Sequence, residues 1–116
     1  MKSPADILAE IEALVGAANV RTGADMDGFV EDFWGRARGQ AICVALPKTT
    51  AEVSGVLALC HRERVAVFPQ GGNTSTCLGA VPDGQGRSIV LGLSRMNRIL
   101  SVDPVDFALT AEAGCV

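Results

Sequence analysis

The sequence predicts an α/β (α+β) fold: a small, mainly parallel sheet with flanking helices, followed by a β-hairpin. Three observations carry that prediction. An apolar run at 41–46, an amphipathic stretch at 50–62 and a second apolar run at 65–68 follow one another as strand, helix and strand. A glycine- and hydroxyl-rich loop leaves the second run at Pro69 and continues to Pro82. Two alternating segments, 98–103 and 107–112, flank Pro104-Val105-Asp106 and read as the arms of a hairpin.

Each element has a local cause. Ser3-Pro4-Ala5-Asp6 reads as a helix start, with Ser3 as cap, Pro4 in the first turn and Asp6 at the positive end of the dipole. Ile7, Leu8, Ile11, Leu14 and Val15 then share one face, and Gly16 ends the helix. Residues 19–39 lack periodicity and read as loop. Phe33 and Trp34 are expected to anchor that loop on the core, since each has a large area to bury. Arg36 and Arg38 read as a solvated pair, with an anionic ligand as the alternative use. Ala41 to Leu46 is apolar throughout, which suits a strand buried on both faces, and Pro47 stops it.

Thr49-Thr50-Ala51-Glu52 has the spacing of a capping box. The helix from Thr50 to Arg62 is expected to bury Val53, Val56, Leu57 and Cys60. His61 falls at its solvated end, among Arg62, Glu63 and Arg64. Val65 to Phe68 reads as a buried strand and Ser88 to Leu91 as a further short one. The expected organisation is an N-terminal helix and lead-in segment over 1–39, then an α/β unit over 40–116.

Composition narrows the function. A chain of 116 residues, 48% apolar, with mean hydropathy +0.29, suggests either that some apolar surface meets a partner or that the core is simply aliphatic, rich in Ala, Val and Leu. The net charge of −3 and the absence of a basic stripe argue against nucleic acid. No apolar run approaches the length of a membrane span, and the N-terminus lacks a signal-peptide layout; a cytoplasmic location is expected. The four cysteines form no C-x-x-C pair and there is one histidine, so no metal site is expected. Cys43 and Cys60 read as small buried apolar residues, and Cys77 as partly exposed.

The loop Pro69-Gln70-Gly71-Gly72-Asn73-Thr74-Ser75, with Gly79 beyond it, is the candidate site. Its glycines allow positive φ and leave no Cβ in a ligand's way. Successive backbone N–H groups can form an anion nest, and Asn73, Thr74 and Ser75 add side-chain donors. Such a loop can cradle a diphosphate with neutral dipoles alone. It has no Lys, which excludes a Walker A loop, and Gly84-Gln85-Gly86 supplies only two of the three Rossmann glycines. An ordinary glycine-rich turn is the alternative.

Five segments, taken in order, add a resemblance: Asp32-Phe33-Trp34-Gly35-Arg36; Pro47-Lys48-Thr49-Thr50-Ala51-Glu52-Val53; Pro69 to Ser75; Leu93-Ser94-Arg95-Met96-Asn97-Arg98-Ile99; and Ala111-Glu112-Ala113-Gly114-Cys115-Val116. Together they resemble the FAD-linked oxidase family, whose flavin domain is of the vanillyl-alcohol oxidase and p-cresol methylhydroxylase type. The pattern is nearest to the branch of D-2-hydroxyglutarate dehydrogenase, D-lactate dehydrogenase and the glycolate oxidase flavin subunit. The resemblance implies the N-terminal FAD-binding subdomain of an oxidoreductase. Its reaction would be oxidation of a D-2-hydroxy acid (2-hydroxyglutarate, lactate or glycolate type) to the 2-oxo acid by hydride transfer to flavin.

The resemblance also implies roles for particular residues. Pro69 opens the loop, backbone groups of Gln70 through Ser75 hold the pyrophosphate, Gly79 permits close approach, and Gly114 lies near the cofactor. Asn73 stands where some relatives carry a histidine bonded to FAD, so the FAD is expected to be non-covalent. Members of the family are several times longer than this chain, and the rest of the flavin domain and the substrate cap are expected beyond Val116. No catalytic residue is assigned. A homodimer, or contact with the remainder of the enzyme, is the expected association. The alternative is a truncated, non-catalytic domain that self-associates or binds another chain.

Overall fold

The computed structural model describes residues 1–116. Helix α1 (Pro4–Val15) is followed by a short strand β1 (Val20–Arg21) and then β2 (Cys43–Ala45), α2 (Thr50–Glu63), β3 (Ala66–Gln70) and β4 (Ser88–Gly92). Strands β5 (Ile99–Asp103) and β6 (Ala108–Ala111) complete the chain's elements. The main sheet has the order β1-β2-β4-β3, with β1 antiparallel to β2 and the other three strands parallel. The expected parallel strands at 41–46 and 65–68 are therefore present, with β4 inserted between them. β5 and β6 form a separate antiparallel hairpin.

β2 and β4 are buried along their whole length and divide the core into two layers. Cys43, Ala45, Ile89 and Leu91 face α1 and α2, packing on Ile7, Ile11, Val15, Val56 and Leu59. Val44 and Val90 point to the other face, where Val30 and Leu46 cover them. This is the two-faced burial that continuous apolar strands require. Burial also raises the two inner thiols, Cys43 to about 12 and Cys60 to about 11, so both stay neutral.

Both helices start as their sequences predict. Ser3 Oγ accepts from Asp6 N–H and the Asp6 carboxylate accepts from Ser3 N–H, a complete capping box. At α2, Thr49 Oγ1 accepts from Glu52 N–H, but the Glu52 carboxylate reaches one residue further back, to Lys48 N–H. The buried face of α2 is Val56, Leu59, Cys60 and Glu63 rather than a stripe through Leu57, which is exposed. Those four positions are spaced i, i+3, i+4 and i+7, whereas Leu57 sits about 100° round the helix from Val56.

Two further expectations are corrected. β3 is an edge strand, paired on one side only, and Ala66 and Pro69 are exposed. Pro69 has no N–H to contribute to a ladder, which suits it to an edge. Phe33 and Trp34 do not anchor the core; each is 61% exposed. His61 is exposed in the last turn of α2, as expected. No helix is long and apolar enough to cross a membrane.

Hairpin and body are joined by a tight crossing. Gly114 N–H donates to Met96 O (2.9 Å), and Met96 N–H donates to Leu93 O (2.9 Å). A Cβ on Gly114 would lie 1.6 Å from Leu93 O, so the turn after β4 and the segment after β6 touch backbone to backbone. Beyond this crossing the hairpin projects, with every residue of both strands exposed.

Candidate cofactor site

The three parallel strands release their carboxyl ends on one side of the sheet. β2 leads into α2, β3 into the loop 71–80, and β4 into the turn 93–97. The loop after β3 is held there by the otherwise irregular segment 28–36. Gln70 is buried, and its Nε2 donates to Phe29 O (2.9 Å) and to Ala80 O (3.3 Å), which pins both ends of the loop. Asn73 adopts φ 54°, and its Nδ2 donates to Glu31 O (2.8 Å) and Gly28 O (3.3 Å). Ser75 Oγ accepts from Cys77 N–H (3.3 Å), closing a small turn.

A fourth tie comes from Arg36. Its Nη2 donates to Thr76 O (3.2 Å) while its Nε donates to Asp32 Oδ2 (3.1 Å). Asp32 is buried and also accepts from the backbone N–H of Arg36 and of Ala37. Burial works against the Asp32 carboxylate, but the donors from Ala37, Arg36 and Trp34 outweigh it and hold its pKa below the usual carboxylate value. Arg36 is thus not a solvated partner of Arg38. Arg38 instead pairs with Asp27 and Glu31.

The cavity at the loop has a volume of about 320 Å³, and Pro69, Gly71, Gly72, Asn73, Thr74, Ser75 and Gly79 line it with Ala80. Seven of the nine residues singled out in the sequence are therefore brought together. The other two have structural positions. Gln70 pairs with Gly92 in the sheet, and its carbonyl accepts from Leu93 N–H. Gly114 sits at the hairpin crossing. The backbone N–H groups of Gly71 through Thr76 make no hydrogen bond within the chain. No group of three or more His, Cys, Asp or Glu side chains is placed to hold a metal ion.

The glycines of the loop need a different explanation from positive φ. Gly71, Gly72 and Gly79 all lie outside the left-handed region. Added Cβ atoms would meet only Ala113 O at 4.0 Å and Val116 Cγ2 at 3.9 Å, and nothing at Gly79. Neither conformation nor packing within the chain requires glycine at these positions.

Sequence reasoning missed Asp32 and undervalued Arg36. The available signal was an Asp ahead of a glycine-containing turn, since an Asp carboxylate can accept from backbone N–H groups a few residues on. Asp32→Asn is expected to lower Tm at pH 7 by several degrees and to loosen the loop at Thr76. The Asp32 pKa is depressed in the fold, so its contribution is full above the unfolded value near 4 and is lost as pH falls through the folded value. The Tm gap between wild type and Asp32→Asn should accordingly narrow on acidification below about pH 4. A gap independent of pH would rule out the charged carboxylate as the cause.

A parallel sheet with a glycine-rich loop at the carboxyl ends of its strands is the arrangement of nucleotide-binding α/β domains. The chain belongs to the FAD binding domain family, which matches residues 41–116. It is 44% identical over 85 residues to the probable D-2-hydroxyglutarate dehydrogenase, mitochondrial, of Oryza sativa subsp. indica, an alignment covering 73% of this chain and 15% of that protein. It is 39% identical over 93 residues to the putative D-lactate dehydrogenase C713.03, mitochondrial, of Schizosaccharomyces pombe, covering 80% of this chain and 17% of that one. Among solved structures, p-cresol methylhydroxylase with substrate bound superposes with a TM-score of 0.77 at 22% identity, over 96% of this chain and 22% of that one.

These findings bear out the vanillyl-alcohol-oxidase-type fold and the family expected from the five segments. The chain spans less than a fifth of the length of the two relatives compared. The expected cytoplasmic location is corrected: both relatives are named as mitochondrial, which points to mitochondria instead.

Proposed function

We propose that the loop 69–76, with Gly79, is the diphosphate cradle for non-covalently bound FAD in an oxidoreductase that converts a D-2-hydroxy acid to its 2-oxo acid. One observation carries this reading: six consecutive backbone N–H groups without an acceptor in the chain lie on a loop whose glycines leave them uncovered. Backbone donors at a fixed turn are a neutral anion site. Gln70, Asn73 and Arg36 supply the rigidity, because their side chains are committed to backbone carbonyls rather than to ligand. FAD, where bound, supplies the hydride acceptor, and the chain supplies position and electrostatics.

Relatives named as D-2-hydroxyglutarate and D-lactate dehydrogenases support the substrate class. The base that takes the hydroxyl proton is not assigned to this chain. Its one imidazole, His61, lies where α2 ends before β3 begins, at the opposite end of β3 from the loop. Arg36 is hydrogen-bonded to the loop at Thr76 O, and its charge is paired with Asp32. Flavin retention should therefore change by less than about threefold between low salt and 0.5 M salt, where exposed charges are screened within a few ångströms. Flavin that is released by salt would replace the dipolar cradle with a charge-based one.

Association follows from the hairpin. Val102 and Leu109 face one another across the strands, and both are exposed, as are Leu100 at the bulge and Phe107 at the turn. An apolar two-stranded sheet is not stable alone in water and seeks a cover. In the chain as it stands, that cover is expected to be a second copy, giving concentration-dependent sedimentation at micromolar levels. Val102→Lys with Leu109→Glu should shift the midpoint upward by about tenfold, the effect of ~1.4 kcal/mol. A wild-type monomer throughout that range would remove self-association.

A further inference from the structure

The largest cavity, about 560 Å³, borders the loop and shares Gly72 and Asn73 with the cradle. Phe33 and Trp34 line it in an edge-to-face pair with ring centroids 5.1 Å apart. Two bulky aromatic side chains, each 61% exposed, forgo much of the burial they normally contribute. The turn that carries them is nonetheless held in place. Asp32, the residue before them, is fixed by Arg36 N–H and Ala37 N–H, and Gly35 N–H donates back to Asp32 O (3.1 Å). The rim adds the Asp27 and Glu31 carboxylates, which share Arg38. A rigid aromatic surface beside hydrogen-bond acceptors suits a planar ring that carries N–H donors.

In FAD the diphosphate lies between two such rings, so a cavity adjoining the cradle is within reach of one of them. We propose that the Phe33–Trp34 pair is the stacking platform for one ring system of the bound dinucleotide, with Asp27 and Glu31 accepting from the ring's N–H groups. The inference rests on the cradle reading and extends it. Adenine and isoalloxazine share the required chemistry, a π face with N–H donors at its edge, and half-ligands separate them. Base–aromatic stacking is commonly worth about a factor of ten or more in affinity.

Trp34 is the only tryptophan among these 116 residues, and in the full-length protein its indole N–H resonance is identified as the one that disappears in Trp34→Leu. The full-length protein is titrated with FAD, ADP, FMN and inorganic diphosphate while the indole and the amides of Gly71 to Thr76 are followed. FAD is expected to move both sets and inorganic diphosphate only the loop amides. Whichever of ADP and FMN moves the indole names the ring. Trp34→Ala and Trp34→Leu should weaken FAD about tenfold and threefold respectively, with inorganic diphosphate unchanged. Loop amides that move with FAD while the indole stays fixed would overturn the platform and leave the cradle standing. FAD that moves neither would overturn both. Equal weakening of FAD and inorganic diphosphate in the Trp34 variants would show a purely structural role and end the proposal.

Discussion

Gly72→Val is expected to purify folded, with a Tm within about 2 °C of wild type when both are stripped of flavin, and to retain less than about a tenth of the flavin per chain as purified, a loss of ~1.4 kcal/mol or more. The two halves of that result have separate causes. A Cβ at Gly72 meets only Val116 Cγ2, at 3.9 Å, an ordinary contact. The residue is not in the left-handed region, so a β-branched side chain adds no backbone strain there. The fold has little reason to object. A phosphate oxygen does, because a hydrogen bond to backbone N–H needs about 2.9 Å between nitrogen and oxygen, and the added isopropyl group stands in that space. Flavin absorbance per chain and thermal melting, measured on the full-length protein, give the two readouts. Equal flavin in both proteins would eliminate the loop as the cradle. A large fall in Tm between the two flavin-free proteins would mean that the glycine serves the fold after all.

What the sequence made legible follows from where the information sits. Strand β2, helix α2 and the hairpin are each specified by neighbours within a few residues: an apolar run closed by Pro47, a Thr49 cap, and alternation about 104–106. The central place of β4 could not be read from Ser88 to Leu91 alone, since strand order depends on partners 20 or more residues away. The same limit explains the loop. Asn73 reads as a side-chain donor to ligand and Gln70 as part of the backbone cradle, yet their side-chain amides serve the carbonyls of Phe29, Gly28 and Glu31, some 40 residues earlier. That earlier segment has no periodicity because it forms no long element. Its order comes from Asp32 and from the loop it holds. Phe33 and Trp34 were misread for a related reason. Size argues for burial, but their setting on the Asp32 turn directs them outward beside the loop.

Gly114→Ala is expected to cost about 3 kcal/mol or more of stability, with or without flavin, because overpacking against backbone exceeds the usual 1–3 kcal/mol for an extra methyl group. The resemblance placed Gly114 near the cofactor; the packing gives it a prior role within the chain. Its Cβ would fall 1.6 Å from Leu93 O, 2.5 Å from Leu93 C and 2.8 Å from Met96 O. All three are backbone atoms, so no rotamer change relieves the overlap. Moving them breaks the bond from Gly114 N–H to Met96 O and the turn from Met96 N–H to Leu93 O, which together join the hairpin to β4. The expected signature is a Tm lowered by roughly 10 °C and early loss of hydrogen-exchange protection across Ile99–Asp103 and Ala108–Ala111, while β2 and β4 remain protected. Gly72→Val should show the reverse, an intact hairpin and absent flavin. If Gly114→Ala melts like wild type, the crossing is loose enough to absorb a methyl group, and the hairpin is held to the body by something other than this contact.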